Sequence, residues 1–382
     1  MKLTVVGRGT VGCFTVAHFL RWTDWEIDWV YDPNIQPTAV GEGTTLDLPK
    51  SLFDSLGFDS NDMEALDSTV KLGIIKRNWG NGNRFVHTFP SGSVGMHFNA
   101  VSFQNYVFDR LKHNSRVKLE ECSIMPEEID SDYVIVCTGT PLDFSTTETV
   151  ESVPVNACWV SQCPWDYARF TYTLTWATKY GWIFGIPLKN RCAIGYLYNS
   201  DITDLNSVKE DAEEILKELD LTPSVQRQIN FRNYKRKVNF TDRIVYNGNA
   251  SFFLEPLEAT STGFADKINR NAFDLWKNRI SVDRCNAFYH DELNNIESMI
   301  NLHYFAGSVF KNEFWNYAST IAENRLKSVL SENGTFRDII WKSLTSKNFY
   351  DNLDKDVGSW NIRSFKQNMD GLGIRDKILK MI

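Results

Sequence analysis

The chain has little of what would make it a nucleic-acid binder, a disulfide scaffold or a membrane span. Positive charge is not in excess: 41 Lys and Arg stand against 48 Asp and Glu, for a net charge of -7. With a sequence pI near 5.5, it lacks the basic footprint that phosphate backbones select. Seven cysteines (Cys13, Cys122, Cys137, Cys158, Cys163, Cys192 and Cys285) form an odd, scattered set without CxxC spacing. That argues against a disulfide framework or a metal site of the zinc type and for a reducing compartment, with the cytoplasm as the default. No apolar run reaches the roughly 18 residues of a membrane span, and the N-terminus opens on a strand pattern rather than a leader. Low-complexity linkers and internal repeats are missing too, so no clean domain border is visible.

What the chain does have is size and aromatic content. Its 382 residues are 42% hydrophobic, with 25 Phe, 14 Tyr and 12 Trp, enough for one complex domain or two intimate ones. Core packing absorbs many of these rings, and a planar cofactor or an aromatic substrate would use others.

Lys2 to Val6 is an apolar run that stops at Gly7-Arg8-Gly9-Thr10-Val11-Gly12, after which Val11, Phe14, Ala17, His18 and Phe19 recur at helical spacing. A second strand, Trp25 to Val30, ends at Tyr31-Asp32-Pro33. This order predicts the opening of a dinucleotide-binding βαβ unit: Gly7 for the tight turn, Gly9 for backbone approach to a diphosphate, Gly12 for helix–strand packing, Asp32 for a ribose hydroxyl. Arg8 adds positive charge beside the expected phosphates. Gly41-Glu42-Gly43-Thr44-Thr45 reads either as a second cofactor contact, with Glu42 as acceptor, or as a simple helix cap at Thr44 or Thr45. Tyr133 to Cys137 runs into Thr138-Gly139, where small residues let backbone approach a ligand. Nicotinamide and flavin are not separated by these signals.

Phe103 to Leu111 predicts a helix and Val117 to Leu119 a strand. From about Asn156 to Asn249 the pattern changes: Phe170, Tyr172, Leu174 and Trp176 alternate with Thr171, Thr173 and Thr175, and Trp182-Ile183-Phe184-Gly185-Ile186-Pro187 follows. Alternation predicts an antiparallel sheet with one face toward a pocket. Asp201 to Leu219 reads as an amphipathic helix, and helices dominate from Thr262 on, including Gly263 to Asn278 and Ser281 to His303. Phe252-Phe253-Leu254-Glu255-Pro256-Leu257-Glu258-Ala259-Thr260-Ser261-Thr262-Gly263 sets two carboxylates in apolar surroundings just before a turn whose free N–H groups could hold an anion. Lys71 stands in an apolar, strand-like segment and must either reach water along its stem or meet a buried partner.

These segments, in this order, resemble the flavin-dependent halogenases of the tryptophan-halogenase type, and within them a short, marine cyanophage-like member. Gly7 to Gly12 resembles the family's FAD-binding turn, Val40-Gly41-Glu42-Gly43-Thr44 its Gly-Glu-Ala-Thr segment, and Thr69-Val70-Lys71-Leu72-Gly73-Ile74 the strand with its catalytic lysine. Phe252 to Gly263 resembles Phe-Leu-Glu-Pro-Leu-Glu-Ser-Thr-Gly, and Trp182 to Pro187 the Trp-x-Trp-x-Ile-Pro motif. His303-Tyr304-Phe305 and Phe314-Trp315 match a later helical stretch. The resemblance implies FAD, used as FADH2 from a separate flavin reductase, with dioxygen and halide as co-substrates. Hypohalous acid would travel through a tunnel to Lys71. Glu258 would be the carboxylate paired with that lysine, Thr262 and Gly263 the halide site, and His87 and Phe89 the faces that stack on a substrate ring.

Four departures bear on those expectations. Phe184 stands where the motif has tryptophan, Ala259-Thr260 is inserted after Glu258, the connection from Phe89 to His97 is short, and the chain is much shorter than typical tryptophan halogenases. A more open pocket follows, suited to free small aromatics such as indoles or phenols, with bromide or iodide preferred to chloride because they are easier to oxidise. Competing readings are an FAD-dependent aromatic monooxygenase and a non-catalytic flavoprotein.

The expected fold is mixed α/β: a Rossmann-like FAD module over 1–155 holding the lysine and substrate segments, and an antiparallel sheet over 156–248. The halide loop and return to the FAD module follow over 249–305, with a helical cap over 306–382. Neither nucleic acid nor membrane is expected as a partner, a homodimer is a common arrangement, and the compartment is the cytoplasm, of a host cell if the protein is viral.

Overall fold

The computed structural model describes residues 1–35, 41–44, 47–82, 84–90, 93–345, 357 and 360–382. Val40 and Thr45, named above, lie outside them.

Lys2–Val6 is a strand because its apolar residues must be covered on both sides. All but Lys2 are buried, and it sits at the middle of a five-stranded parallel sheet. Across that sheet the order is 244–246, 133–136, 2–6, 26–31, 117–121. The crossover helix Thr10–Trp22 follows the first strand, so the glycine turn lies at its C-terminal end, where strands run off to either side. That is where an open α/β sheet binds a ligand.

A seven-stranded sheet forms the second layer, in the order 225–230, 157–164, 191–198, 181–187, 173–178, 73–77, 85–88. It is mixed rather than purely antiparallel, because Gly73–Arg77 runs parallel to Thr173–Thr178. The two parts therefore interleave, with 73–77 and 85–88 from the first third entering the second sheet and Ile244–Tyr246 returning to the first. The regular strand covers only Thr173–Thr178, and its faces divide sharply. Leu174 and Trp176 pack into the core shared with helix Leu205–Glu218, while Thr173 and Thr175 face the cavity. Asp204 caps that helix by accepting from the N–H groups of Asn206 and Ser207, which fixes its start.

Two three-stranded sheets complete the β structure, one of them formed by 41–43, 95–99 and 69–71. Helices Thr260–Trp276, Val282–Ala306, Glu313–Glu332, Gly334–Thr345 and Ile362–Leu372 make up most of the C-terminal third. Among the described residues no helix is long and apolar enough to cross a membrane.

Candidate active site

A single cavity of about 830 Å³ runs from the glycine turn to Lys71 and Glu258. At one end, Gly7 takes φ +115°, and a Cβ there would stand 2.3 Å from the Cys137 carbonyl oxygen. Only glycine fits that approach. Nothing lies within 4 Å of where a Gly9 Cβ would be, so its backbone faces open space. Gly9 caps Thr10–Trp22 with no side-chain bond, and the first turn holds no acid, which leaves free N–H groups for a diphosphate. Arg8 lies over the Phe108 ring at 3.7 Å and donates to Asn105. Asp32 closes this end, its Oδ1 accepting from the Asn34 backbone N–H at 2.9 Å, and Gly139 lines the opposite wall at φ +86°.

Glu42 and Gly43 line the middle of the cavity. Glu42 accepts from the Thr10 hydroxyl at 2.8 Å, and burial raises its carboxyl to about 7. Gly41 starts the same strand. Thr44 does not cap a helix, because its hydroxyl accepts from the Met96 N–H at 2.9 Å. Trp182, Phe184 and Ile186 form a wall by strand alternation, with Pro187 beyond it. Gly195 lies opposite Phe184, and a Cβ there would stand 2.2 Å from the ring. The first carboxylate of the long segment, Glu255, accepts from Trp182 Nε1–H at 3.1 Å and Tyr304 O–H at 2.7 Å. Burial pushes it up to about 8.

Lys71 ends strand Thr69–Lys71 with its side chain turned inward, while Val70 faces out. Two residues on, Gly73 at φ +153° lets the chain pass against the His87 carbonyl oxygen into the second sheet, which fixes that direction. Only 1% of Lys71 is exposed, so the snorkelling alternative does not hold. Its ammonium lies over the Phe89 ring at 5.6 Å and makes no ion pair among the described residues. Burial lowers it from 10.5 to about 8, partly opposed by Glu258 and reinforced by Lys76.

The ion pair of Glu258 goes to Lys76, a residue the sequence reading passed over. Lys76 sits in Gly73–Arg77, fully buried, with Glu258 Oε1, His303 Nε2 and Asn368 Oδ1 around its ammonium. His303 Nδ1–H donates to the Met299 carbonyl at 3.0 Å, which leaves Nε2 as the acceptor. An ammonium has three N–H groups, and here all three are used. Glu258 Oε2 accepts from His87 Nδ1–H at 3.3 Å and from Trp360 Nε1–H at 3.0 Å. Burial alone would raise the Glu258 carboxyl, but Lys76, together with the hydrogen bond from His87, holds it well below the ordinary range. His87 is thus turned into this cluster and does not line the cavity, although it stands edge-on to Phe89 at 6.1 Å. One signal was available: Lys76, like Lys71, interrupts an apolar strand. Nothing local pointed to Trp360 or Asn368.

Glu258 and Ala259 both take left-handed backbone, at φ 71° and 54°. Helix Thr260–Trp276 then begins with no side-chain cap and no acid in its first turn, and Ser261 and Thr262 line the cavity. Thr262 Oγ1 is buried without a hydrogen-bond partner, and Gly263 follows in the same turn.

A Rossmann-like module with an open glycine turn at the start of a long cavity fits a dinucleotide cofactor such as FAD. The family profile for tryptophan halogenase matches residues 2–140 and 127–374, and the chain belongs to that family. Tryptophan 7-halogenase KtzQ of Kutzneria sp. is 28% identical over 150 residues, 38% of this chain and 28% of that protein. The 7-chloro-L-tryptophan 6-halogenase KtzR of the same organism is 26% identical over 214 residues, 50% of this chain and 40% of that one. The matched region thus spans less than half the length of these two relatives. In fold, a flavin-dependent halogenase from Xanthomonas campestris superposes with a TM-score of 0.82 at 19% identity, covering 98% of this chain and 89% of that chain.

Proposed function

We propose that the protein is an FADH2- and dioxygen-dependent halogenase that delivers hypohalous acid to Lys71 for electrophilic halogenation of small electron-rich aromatics such as indoles or phenols. The observation that carries the reading is Lys71 itself, a buried amine without a counter-ion among the described residues, facing the cavity that begins at the glycine turn. When bound and reduced, FAD supplies the electrons that turn dioxygen into an oxidant for halide. Gly7, Gly9, Thr10, Gly12, Gly139 and Asp32 hold the cofactor, with Gly41 and Glu42 beside it. The first turn of Thr260–Trp276, with Thr262 and Gly263, holds the halide on free N–H groups. The neutral amine of Lys71 takes the halogen: the N–X bond forms, the O–X bond breaks, and the oxygen leaves as water with the amine proton. The ring then takes the halogen as the N–X bond breaks, and the proton lost from the ring carbon returns the lysine nitrogen to its amine. Glu258 steadies the cationic ring by its charge. Phe89 is the aromatic face nearest the amine.

An open pocket favours bromide or iodide over chloride and broad substrate tolerance. FADH2 comes from a separate reductase, and a homodimer is carried with this reading. Within the family we place the chain nearest the short, marine cyanophage-like type, in the cytoplasm of its host, a placement that the genomic neighbourhood of its gene tests.

The test is a reaction with FADH2, dioxygen, bromide and a panel of indoles and phenols, read by mass. Bromide-dependent monobrominated products are expected. Hydroxylated products formed equally without halide would make the protein an aromatic monooxygenase, and no product across the panel would favour a non-catalytic flavoprotein.

A further inference from the structure

Two buried lysines share one buried carboxylate, and the structure shows which of them holds it. Lys76 reaches Glu258 from strand Gly73–Arg77, with His303 and Asn368 completing its donors. His87 and Trp360 complete the other oxygen. Lys71, on the short strand just before, lines the cavity outside this closed set.

We propose that Lys76 is a positioning residue for Lys71: by holding Glu258 as a finished ion pair, it leaves the Lys71 amine in the cavity with no counter-ion of its own. The inference rests on Lys71 as the reacting amine. Lys76 does not touch the cavity wall and acts only through Glu258 and its own charge.

The cluster is stable as it stands because one positive and one negative charge are buried together with every donor of the cation satisfied. Remove Lys76, and Glu258 is left as an uncompensated buried anion whose remaining nearby cation is Lys71. Lys71 would then become its counter-ion and hold its proton to higher pH. The other groups around Lys71 do not offer that compensation. His97, on the strand paired with its own, is kept neutral by burial and by Lys71 itself. His97 Nδ1 lies 3.1 Å from Thr69 Oγ1 and its Nε2 lies 2.9 Å from Thr173 Oγ1. His87 is also held neutral by burial, and Glu42, in the strand beyond, is tied to Thr10.

The experiment is a titration of Lys71 in the whole protein, by the 13Cε shift of labelled lysine, assigned by its loss in Lys71→Arg. In Lys76→Met the Lys71 midpoint is expected to rise by about one pH unit or more, whereas Lys76→Arg, which keeps the charge, leaves it near the wild-type value. A midpoint in folded Lys76→Met that stays or falls would overturn the proposal. Should Lys76→Met fail to fold, the double variant Lys76→Met/Glu258→Gln leaves no uncompensated charge. Its Lys71 midpoint is expected at or below wild type, and a value above wild type would overturn the proposal. The titration needs no turnover, so it separates the two readings. A shifted midpoint in a protein that makes no halogenated product would sink the halogenase reading alone, and an unshifted one in an active enzyme would sink only the role of Lys76.

Discussion

Burial treats Lys71 and Lys76 alike, but their partners differ. Both ammonium groups are out of water, which favours the neutral amine in each. Glu258 offsets that cost for Lys76 through an ion pair, while Lys71 feels the same carboxylate from farther off and the second cation as well. At about 8, Lys71 passes from ammonium to amine within the working range of an enzyme. If the amine is the reacting form, kcat for bromination should rise with pH through about 8 and then level; a rate that falls across that window would assign the work to the ammonium as hydrogen-bond donor. Lys71→Ala is expected to remove halogenation, by 10²-fold or more as an order of magnitude, while the FAD dissociation constant stays within about twofold. Undiminished product from that variant would sink the role of the lysine.

The helix that begins after Glu258 is where the halide site is proposed, and its entry is bent. Two successive left-handed residues without glycine cost roughly 1 kcal/mol or more each. Replacing Ala259 by Gly should therefore raise the unfolding free energy by about 0.5–1 kcal/mol, measured by denaturant unfolding; an unchanged or lower value would show that the neighbours leave no strain there. Thr262→Val removes a buried hydroxyl that has no protein partner and is expected to raise the half-saturating bromide concentration severalfold with kcat held. At this scale the sequence was most readable. Helices at Ala100–Leu111, Leu205–Glu218 and Val282–Ala306 appear where periodicity placed them, with ends that differ by up to four residues. So does the βαβ opening, because a glycine turn and an apolar strand are local facts. The cluster around Glu258 was not readable: it gathers residues 76, 87, 258, 303, 360 and 368, and no local period encodes a meeting of side chains so far apart. The alternating strand had one face toward the cavity as expected, but period two shows that there are two faces without saying whether threonines or aromatics meet it.

Across the whole molecule, the chain crosses four times between the two large sheets, so each is built with segments from both halves of the sequence. Glu255 shows the energetic side of this joining, fixed between Trp182 of the second sheet and Tyr304 of the helical part. Its folded pKa of about 8 lies above the ordinary 4.5, so the folded state holds the proton more tightly. The stability it contributes is full below the unfolded value and is lost as pH rises from about 4.5 to 8. Glu255→Gln should thus melt above wild type at pH 8, with the gap narrowing toward pH 5; a gap independent of pH would refute the protonated state. The cavity from the glycine turn to Lys71 carries a further consequence for endurance. Three thiols, Cys122, Cys137 and Cys158, stand in its wall; burial pushes Cys137 and Cys158 well up, so those two would meet a halogenating oxidant as thiol rather than as the far more nucleophilic thiolate, while Cys122 is exposed. Burial thus makes two of the three sulfurs along the passage slow to burn and leaves Cys122 as the one open to oxidation.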